Sequence, residues 1–199
     1  MDESKRNSLN AAADRVFRGY YRHCQDRDQD TLFNLLGALH SFNDKLPKES
    51  KLFHSPNFVG LKALRNLFHH HDELLHKVKI IAASELPMTC ELAQVTLVET
   101  SSVERASSLP REPQPDTVRG AFRRYGDVCD IEPAIFNVVV DVFEKVQSLR
   151  LRPTSEEFEL VLQSYQMEQE RGLDHRVSGS IHTHAGHVET IFSNLLTMD

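Results

Sequence analysis

Apolar residues recur at every third or fourth position through much of this 199-residue chain, which is the spacing that places side chains on one face of an α-helix. Residues 89–99 instead partly alternate and become β-branched towards their end, so they predict a short strand. The strand–helix alternation of a parallel sheet is missing from the pattern. The predicted fold class is therefore all-α, a bundle of about six helices with one possible short strand pair. The predicted helices cover residues 4–24, 30–42, 57–83, 134–149, 154–170 and 186–196.

Capping residues predict where several of these helices begin and end. Asp30 is a suitable N-cap for the second helix, and Pro133 suits the first turn of the fourth. Thr154, with Glu157 three residues later, matches a capping box and predicts the start of the fifth helix. Gly172 predicts the end of that helix, because glycine readily adopts the left-handed conformation found there.

Loop-forming composition suggests how the chain is divided. Residues 101–116 are rich in serine, proline and charge, which predicts a mobile linker or a long surface loop. Residues 44–56 contain two prolines and also predict a loop. We therefore expect a helical domain over residues 1–100 and additional helices over residues 117–199 that pack on it.

Charge is distributed unevenly along the chain. The net charge of −6 argues against a protein that coats nucleic acid. Residues 1–83 nevertheless contain 13 Lys and Arg against 10 Asp and Glu, whereas the remainder contains 10 against 19. The mildly basic first part could contact a polyanion, and an acidic surface that keeps the protein in solution is the alternative explanation of the imbalance.

Cysteine usage and the apolar runs indicate the compartment. The cysteines are odd in number and form no C-x-x-C pair, so they predict a reducing environment rather than a disulfide framework. The polar start MDESKRNSLN contains no apolar core of a secretion signal. No run approaches the roughly 18 apolar residues that a membrane span needs. We therefore expect a cytoplasmic protein with no membrane partner. The cysteines are Cys24, Cys90 and Cys129.

The residues most suggestive of chemistry lie in one run, LRNLFHHHDELLH, over residues 64–76. On a helix Asn66 and His70 are four residues apart and share a face, as do Arg65 and His69. Arg65 and His70 are separated by roughly 140° around an ideal helix. Their side chains can converge if the helix bends locally, or if two chains pair and combine their side chains.

The sequence Arg65-Asn66-x-x-x-His70 resembles the R-N-x-x-x-H signature of HEPN domains. The resemblance extends to the helical character of the first part of the chain, residues 1–83. It implies a small, commonly dimeric helical bundle and a metal-independent endoribonuclease of a toxin–antitoxin, phage-defence or RNA-processing system. The implied partners are an RNA substrate, a second copy of the chain and an antitoxin or other protein, and no cofactor or metal is implied.

The resemblance also implies roles for individual residues. RNA can be cut without a metal because its own 2′-OH attacks the neighbouring phosphorus. His70 would move the proton, Arg65 would stabilise the charge that develops on the phosphate, and Asn66 would orient His70 or a phosphate oxygen. His69 and His71 are the nearby candidates for substrate contacts. In some members a tyrosine two residues after the histidine is modified by the antitoxin; Asp72 stands there, so we do not expect that control.

Two other functions compete with this hypothesis. The first is a non-catalytic interaction or dimerisation protein whose histidine-rich helix is an interface. The second is a metal-binding helical protein, because helical i, i+4 pairs of histidine and carboxylate suit zinc. A separate histidine cluster near the end of the chain could hold zinc or nickel. The ligands for these metal sites would be, respectively, His69, Asp72, Glu73 and His76, and His182, His184 and His187.

Few other motifs suggest chemistry. The sequence has no G-x-S-x-G elbow, P-loop or G-x-G-x-x-G, which argues against serine-hydrolase and common nucleotide-binding functions. A small basic patch is formed by Arg119, Arg123 and Arg124. We predict that these residues lie on one helix and form a face exposed to solvent.

Overall fold

The computed structural model describes residues 2–70, 78–86, 92–109, 113–179, 181 and 187–197. These residues are predominantly helical and include a small antiparallel sheet. The helices are α1 (Glu3–Asp26), α2 (Gln29–Lys45), α3 (Pro56–His70), α4 (Thr100–Ser107), α5 (Pro115–Gly120), α6 (Glu132–Ser148), α7 (Glu156–Arg171) and α8 (Val188–Thr197). The strands are β1 (Val78–Ala82), β2 (Gln94–Glu99), β3 (Arg123–Tyr125) and β4 (Val128–Asp130). Short 3-10 turns lie at Lys48–Ser50, Leu52–His54 and Ala83–Glu85.

The chain forms two compact units, and each is built from two separate segments. Met1–Ser55 and Phe136–Val177 form the first unit, and Pro56–Ile135 and Ser178–Asp199 form the second. The domains expected from composition were consecutive segments, whereas each observed unit is discontinuous in sequence. No helix within the described ranges is both long and apolar enough to cross a membrane.

The first unit is helical and is centred on α1. The apolar stripe of α1 is buried, and the centroid of the Phe17 ring lies 5.3 Å from that of Phe158 on α7. A buried carboxylate on α1, that of Asp14, accepts hydrogen bonds from the backbone N–H groups of Thr154 (2.9 Å) and Ser155 (2.8 Å). This contact fixes the segment that leads into α7, so a residue early in the chain determines where a late helix begins. The buried stripe of α1 includes Leu9, Ala12, Ala13, Val16 and Phe17.

The second unit contains the sheet, with strands in the order β1-β2-β4-β3 and every pair antiparallel. β2 is central to the register, because Val98 pairs with Val78 on one side and with Cys129 on the other. Phe192 of α8 is fully buried against apolar side chains from the sheet. Helix α3 packs against α4 and α5 in the same unit. The core around Phe192 contains Ile81, Leu86, Val95, Leu97 and Val128.

Several predictions about the elements are confirmed and others are wrong. The helices predicted at residues 4–24 and 134–149 are present as α1 and α6, and the strand predicted within residues 89–99 is present as β2. The clean six-helix bundle is wrong, because the second unit contains a four-stranded sheet. The third helix was predicted to reach residue 83, but it is described over Pro56–His70, and Val78–Ala82 form strand β1 instead. The residues between these two elements, 71–77, lie outside the described ranges.

Two further predictions fail for local reasons. The predicted linker is helical over Thr100–Ser107, because Val103 and Ala106 find apolar surroundings and are buried. The capping-box prediction placed the start of α7 one residue too early. Ser155 is the N-cap and its hydroxyl accepts from Phe158 N at 3.3 Å, whereas Thr154 is engaged by Asp14.

Candidate functional site

Helix α3 presents the sequence motif on a partly buried surface. Its apolar side is buried inside the second unit, to which α3 belongs. Arg65 and Asn66 are half-buried, and His69 and His70 are exposed. The predicted arrangement, a polar face supported by an apolar one, is therefore confirmed over the described part of the helix. The buried residues of this helix are Phe58, Val59, Gly60, Leu61, Ala63, Leu64, Leu67 and Phe68.

The guanidinium of Arg65 is held beside the amide of Asn66. Arg65 Nη1 donates to Asn66 Oδ1 at 3.3 Å, a long hydrogen bond. Arg65 Nε is buried and has no hydrogen-bond partner among the residues that the structure describes. An unused buried N–H on a charged group is uncommon, because desolvation of such a donor is costly unless an acceptor compensates for it. Because the Arg65 side chain is only half-buried, its guanidinium remains a candidate to donate hydrogen bonds to an anionic group.

The imidazoles of His69 and His70 lie next to each other at the end of α3. Their Nδ1 atoms are 3.5 Å apart and their ring centroids 4.6 Å apart, with the planes at 67°. A hydrogen bond between the rings requires one Nδ1 to carry a proton and the other to accept it. The two exposed rings therefore present nitrogen donors and acceptors at the surface.

These four side chains form two pairs rather than one cluster. No hydrogen bond between Arg65 and His70 occurs in the described part of the chain, as expected from their separation around the helix. His71 was predicted to contact substrate and lies outside the described residues.

The metal-site predictions fall largely outside the described residues. Of the first predicted set only His69 is described; Asp72, Glu73 and His76 are not. Of the second set only His187 is described, and it is exposed immediately before α8; His182 and His184 are not. Within the described ranges, no group of three or more His, Cys, Asp or Glu side chains is placed to hold a metal ion.

The predicted basic patch is largely paired with acidic side chains. Arg119 lies in α5, but Arg123 and Arg124 lie in β3, so the prediction of one helix for all three is wrong. Glu104 contacts Arg119 at 3.0 Å and Arg124 at 3.7 Å, and Arg119 also contacts Asp116 at 2.8 Å. The patch therefore has much less free positive charge than its sequence suggests.

A buried polar cluster was not predicted. Asp130 and Glu132 are each 2% exposed. Asp130 Oδ1 accepts from Thr96 N (3.1 Å) and Glu132 N (3.0 Å), and Glu132 Oε2 accepts from the Thr96 hydroxyl (2.5 Å) and Gln94 Nε2 (3.1 Å). Burial raises the pKa of the Asp130 carboxyl to about 7, against the lowering effect of the backbone hydrogen bonds. The acidic residues before Pro133 are a signal of a helix start, but their partners on β2 are not visible in sequence.

Comparisons of the chain with protein-family models, with curated proteins and with solved structures give no match. A function for this protein must therefore be inferred from its own side chains. On α3 these are a partly buried guanidinium beside an amide, and two exposed imidazoles within one turn of them.

Proposed function

We propose that this chain is a metal-independent endoribonuclease of the HEPN type, with Arg65, Asn66 and His70 as its catalytic set. The observation that best supports the proposal is the half-buried guanidinium of Arg65, which hydrogen bonds to Asn66 and lies on the same helix as two exposed imidazoles. The proposed nuclease would act in the cytoplasm, in a toxin–antitoxin, phage-defence or RNA-processing system.

The proposed reaction uses only side chains and the RNA itself. An imidazole, that of His70, takes the proton of the 2′-OH, and the 2′-oxygen forms a bond to the adjacent phosphorus. The bond from phosphorus to the 5′-oxygen breaks, and a second imidazole gives that oxygen a proton. The products are a 2′,3′-cyclic phosphate and a free 5′-OH. His69, which lies beside His70 on the same helix, could supply the second imidazole.

Arg65 would stabilise the charge that develops on the phosphate during this reaction. A planar guanidinium offers parallel donors that match two phosphate oxygens. Arg65 is only half-buried, so its guanidinium would gain acceptors when the phosphate arrives, and the interaction would be strongest where negative charge is greatest. Asn66, which already accepts from Arg65, would hold the guanidinium in position.

Two copies of the chain would complete the site. Within one chain Arg65 does not hydrogen bond to His70, and their positions are roughly 140° apart around an ideal helix. A two-fold axis beside α3 would place the imidazole of one copy opposite the guanidinium of the other. We therefore expect a homodimer with one composite site.

The decisive experiment is incubation of the purified protein with mixed single-stranded RNA in excess EDTA, followed by analysis of the fragment ends. We expect 2′,3′-cyclic phosphate termini from the wild type. Arg65→Ala should reduce the rate by about 10² to 10³-fold, the usual loss for a group that stabilises developing charge. His70→Ala should reduce it by about 10² to 10⁴-fold, the range for general acid–base catalysis.

Matched controls come from the same unit. Arg105→Ala and His187→Ala each remove an exposed side chain of the same type outside the proposed set, and both should cleave like the wild type. Absence of cleavage by the wild type across varied RNAs would refute the proposal. Cleavage retained by both Arg65→Ala and His70→Ala would assign the activity to another site or to a contaminant.

An apolar groove in the first unit favours a second candidate function, a non-catalytic dimerisation protein. The groove has a volume of about 340 Å³ and lies among α1, α6 and α7. Tyr21 and Leu160 line it and are 43% and 51% exposed, which is a high exposure for large apolar side chains. If this groove is the interface of a non-catalytic dimer, Leu160→Asp should convert the dimer to a monomer in sedimentation analysis. The wild type should then leave RNA intact.

A further inference from the structure

A second groove in the first unit lies between α1 and α2 and has a volume of about 750 Å³. Three arginines of α1, at positions i, i+3 and i+7, line one wall and are exposed. Small residues form the floor: Gly19 lies so close to α2 that an added Cβ would be 3.5 Å from the Cα of Leu35. The three arginines are Arg15, Arg18 and Arg22, and the other small lining residues are Gly37 and Ala38.

The groove has an excess of positive charge. Asp26 is the one acidic residue among its lining side chains within the described ranges, against three guanidinium groups. Arg15 uses one donor on the hydroxyl of Ser41 at 3.2 Å, and Arg18 Nε lies 3.7 Å from Glu157 Oε2 in an exposed ion pair. An exposed pair at this distance is weak, so an anion could displace Glu157 from Arg18.

The opposite wall has a different chemistry. It presents the aromatic ring of Phe33, the amide of Asn34 and the hydroxyl of Thr31. An aromatic ring can stack on any nucleobase, and an amide can hydrogen bond to base edges. One wall therefore suits phosphates and the other suits bases.

We propose that this groove binds the phosphodiester backbone and bases of single-stranded RNA. The arginines extend over about 10.5 Å of the helix axis, at 1.5 Å per residue, so their charges form a row rather than a point. A row of cations complements a polymer of anions, and unstacked bases are available only in a single strand. The inference rests on the proposed function in one respect, because it takes RNA to be the substrate that the groove retains.

The test measures binding separately from cleavage. A short, fluorescently labelled single-stranded RNA is titrated with the Arg65→Ala/His70→Ala protein, so that the probe stays intact, and its anisotropy is followed over a range of salt concentrations. In this background Arg15→Ala/Arg22→Ala should weaken binding by roughly tenfold or more. It should also reduce the slope of log K against log salt by about 1.4, because each phosphate contact to a single strand contributes about 0.7.

Two control variants make the test specific. Lys5→Ala/Arg6→Ala removes the same charge from α1 at residues that do not line the groove, and it should leave the affinity and the salt slope close to those of the parent. Glu157→Gln releases Arg18 from its ion pair and should strengthen binding. If alanine unfolds the helix pair, as seen by circular dichroism, Arg15→Gln/Arg22→Gln replaces it and should lose binding equally.

The outcomes separate the groove from the proposed nuclease. Binding that depends on Arg15 and Arg22, with no cleavage by the wild type, would support the groove and refute the nuclease. Cleavage by the wild type, with Arg15→Ala/Arg22→Ala binding RNA as tightly as Lys5→Ala/Arg6→Ala, would overturn the groove alone. Competition by polyglutamate as effective as that by unlabelled RNA would also overturn it, because the groove would then recognise any acidic polymer.

Discussion

Single buried polar side chains join distant segments of this chain. Asn137 both donates to Val177 O and accepts from Val177 N, at 3.0 and 2.9 Å. Asp14 accepts from two backbone N–H groups some 140 residues away in the sequence. Leaving a buried donor or acceptor without its partner costs about 1 to 3 kcal/mol. These residues therefore specify which segments meet, a task that apolar contacts perform less selectively.

Asp130 gives a prediction about pH. Its pKa in the folded protein is raised to about 7 by burial, above the ordinary value of 3.8, so the folded state holds the proton more tightly than the unfolded state. As the pH rises from about 4 to about 7 the unfolded chain loses this proton first, so the stability that this carboxyl contributes falls. The slope contributed by this group approaches about 1.4 kcal/mol per pH unit. Urea unfolding of the wild type across this range, compared with a variant that lacks this carboxyl, should show the decline.

Asp130→Asn isolates the contribution of this carboxyl. Asparagine keeps an oxygen that can accept from Thr96 N and Glu132 N but has no titration in this range. The unfolding free energy of the wild type should therefore fall relative to that of Asp130→Asn as the pH rises from 4 to 7. Asp116→Asn, which makes the same substitution at a highly exposed carboxyl outside this cluster, is the control. Parallel curves for Asp130→Asn and wild type would show that the carboxyl is not protonated in the folded protein.

Among the elements, helices with a strong local pattern were predictable and elements that depend on distant partners were not. The buried stripe of α1 repeats at helical spacing over many residues, and Gly172 ends α7 in the left-handed conformation, with φ of 66°. Strand β1 is different. Val78 follows the apolar spacing of the preceding helix, but its backbone pairs with Val98 on β2, and that pairing is a non-local contact.

The same distinction applies to the candidate site. The sequence correctly placed Arg65, Asn66, His69 and His70 on a helix, because their apolar neighbours repeat at helical spacing. It could not indicate that Arg65 would bond to Asn66 or that its Nε would be buried, since both depend on what packs around α3. The Asp130 cluster was invisible for a similar reason, because Gln94 and Thr96 belong to another strand.

The packing of α3 gives a prediction at the scale of elements. A methyl group at Gly60 would lie 2.5 Å from the Cβ of Ala121 and 2.8 Å from the ring of Phe122, so Gly60→Ala should force α3 away from these residues. We expect a loss of about 1 to 3 kcal/mol, typical of an overpacked core. Gly37→Ala on α2 is the matched control, because no described atom lies within 4 Å of the added methyl. It should gain about 0.5 to 1 kcal/mol from helix propensity.

Chemical denaturation of both glycine variants measures the contrast. Gly60→Ala should lower the denaturant midpoint of unfolding, and Gly37→Ala should raise it. A stable Gly60→Ala protein with the wild-type midpoint would mean that α3 is not held closely against residues 121–122, and the burial of Arg65 on the same helix would then need another cause.

At the scale of the whole molecule, the two proposals concern different units. The arginine groove lies in the unit of Met1–Ser55 and Phe136–Val177, and α3 lies in the other. Variants in one unit can therefore be designed without changing side chains of the other. This division allows binding and cleavage to be assigned separately, as the variants described above require.

The composite site predicts that two inactive proteins will restore each other. In the proposed dimer His70 of each copy faces Arg65 of the other copy, which gives two facing pairs. In a dimer of Arg65→Ala with His70→Ala, the first copy keeps its histidine and the second keeps its arginine. One of the two facing pairs therefore remains intact. When chains exchange freely, about half of the dimers in an equal mixture are of this mixed kind. We expect RNA cleavage by the mixture at least roughly tenfold above either variant alone, since each missing group costs about 10² or more.

The control for chain exchange is a mixture of Arg65→Ala with the Arg65→Ala/His70→Ala double variant. Its mixed dimers have one His70 and no Arg65, so they should stay inactive although chains exchange to the same extent, which native mass spectrometry can verify. Because Arg65 makes no hydrogen bond to His70 within one chain, we expect restoration only if the arginine and the histidine come from different copies. Mixed dimers that form but stay inactive, beside an active wild type, would place the whole site within a single chain and would require α3 to bend so that both side chains reach one phosphate.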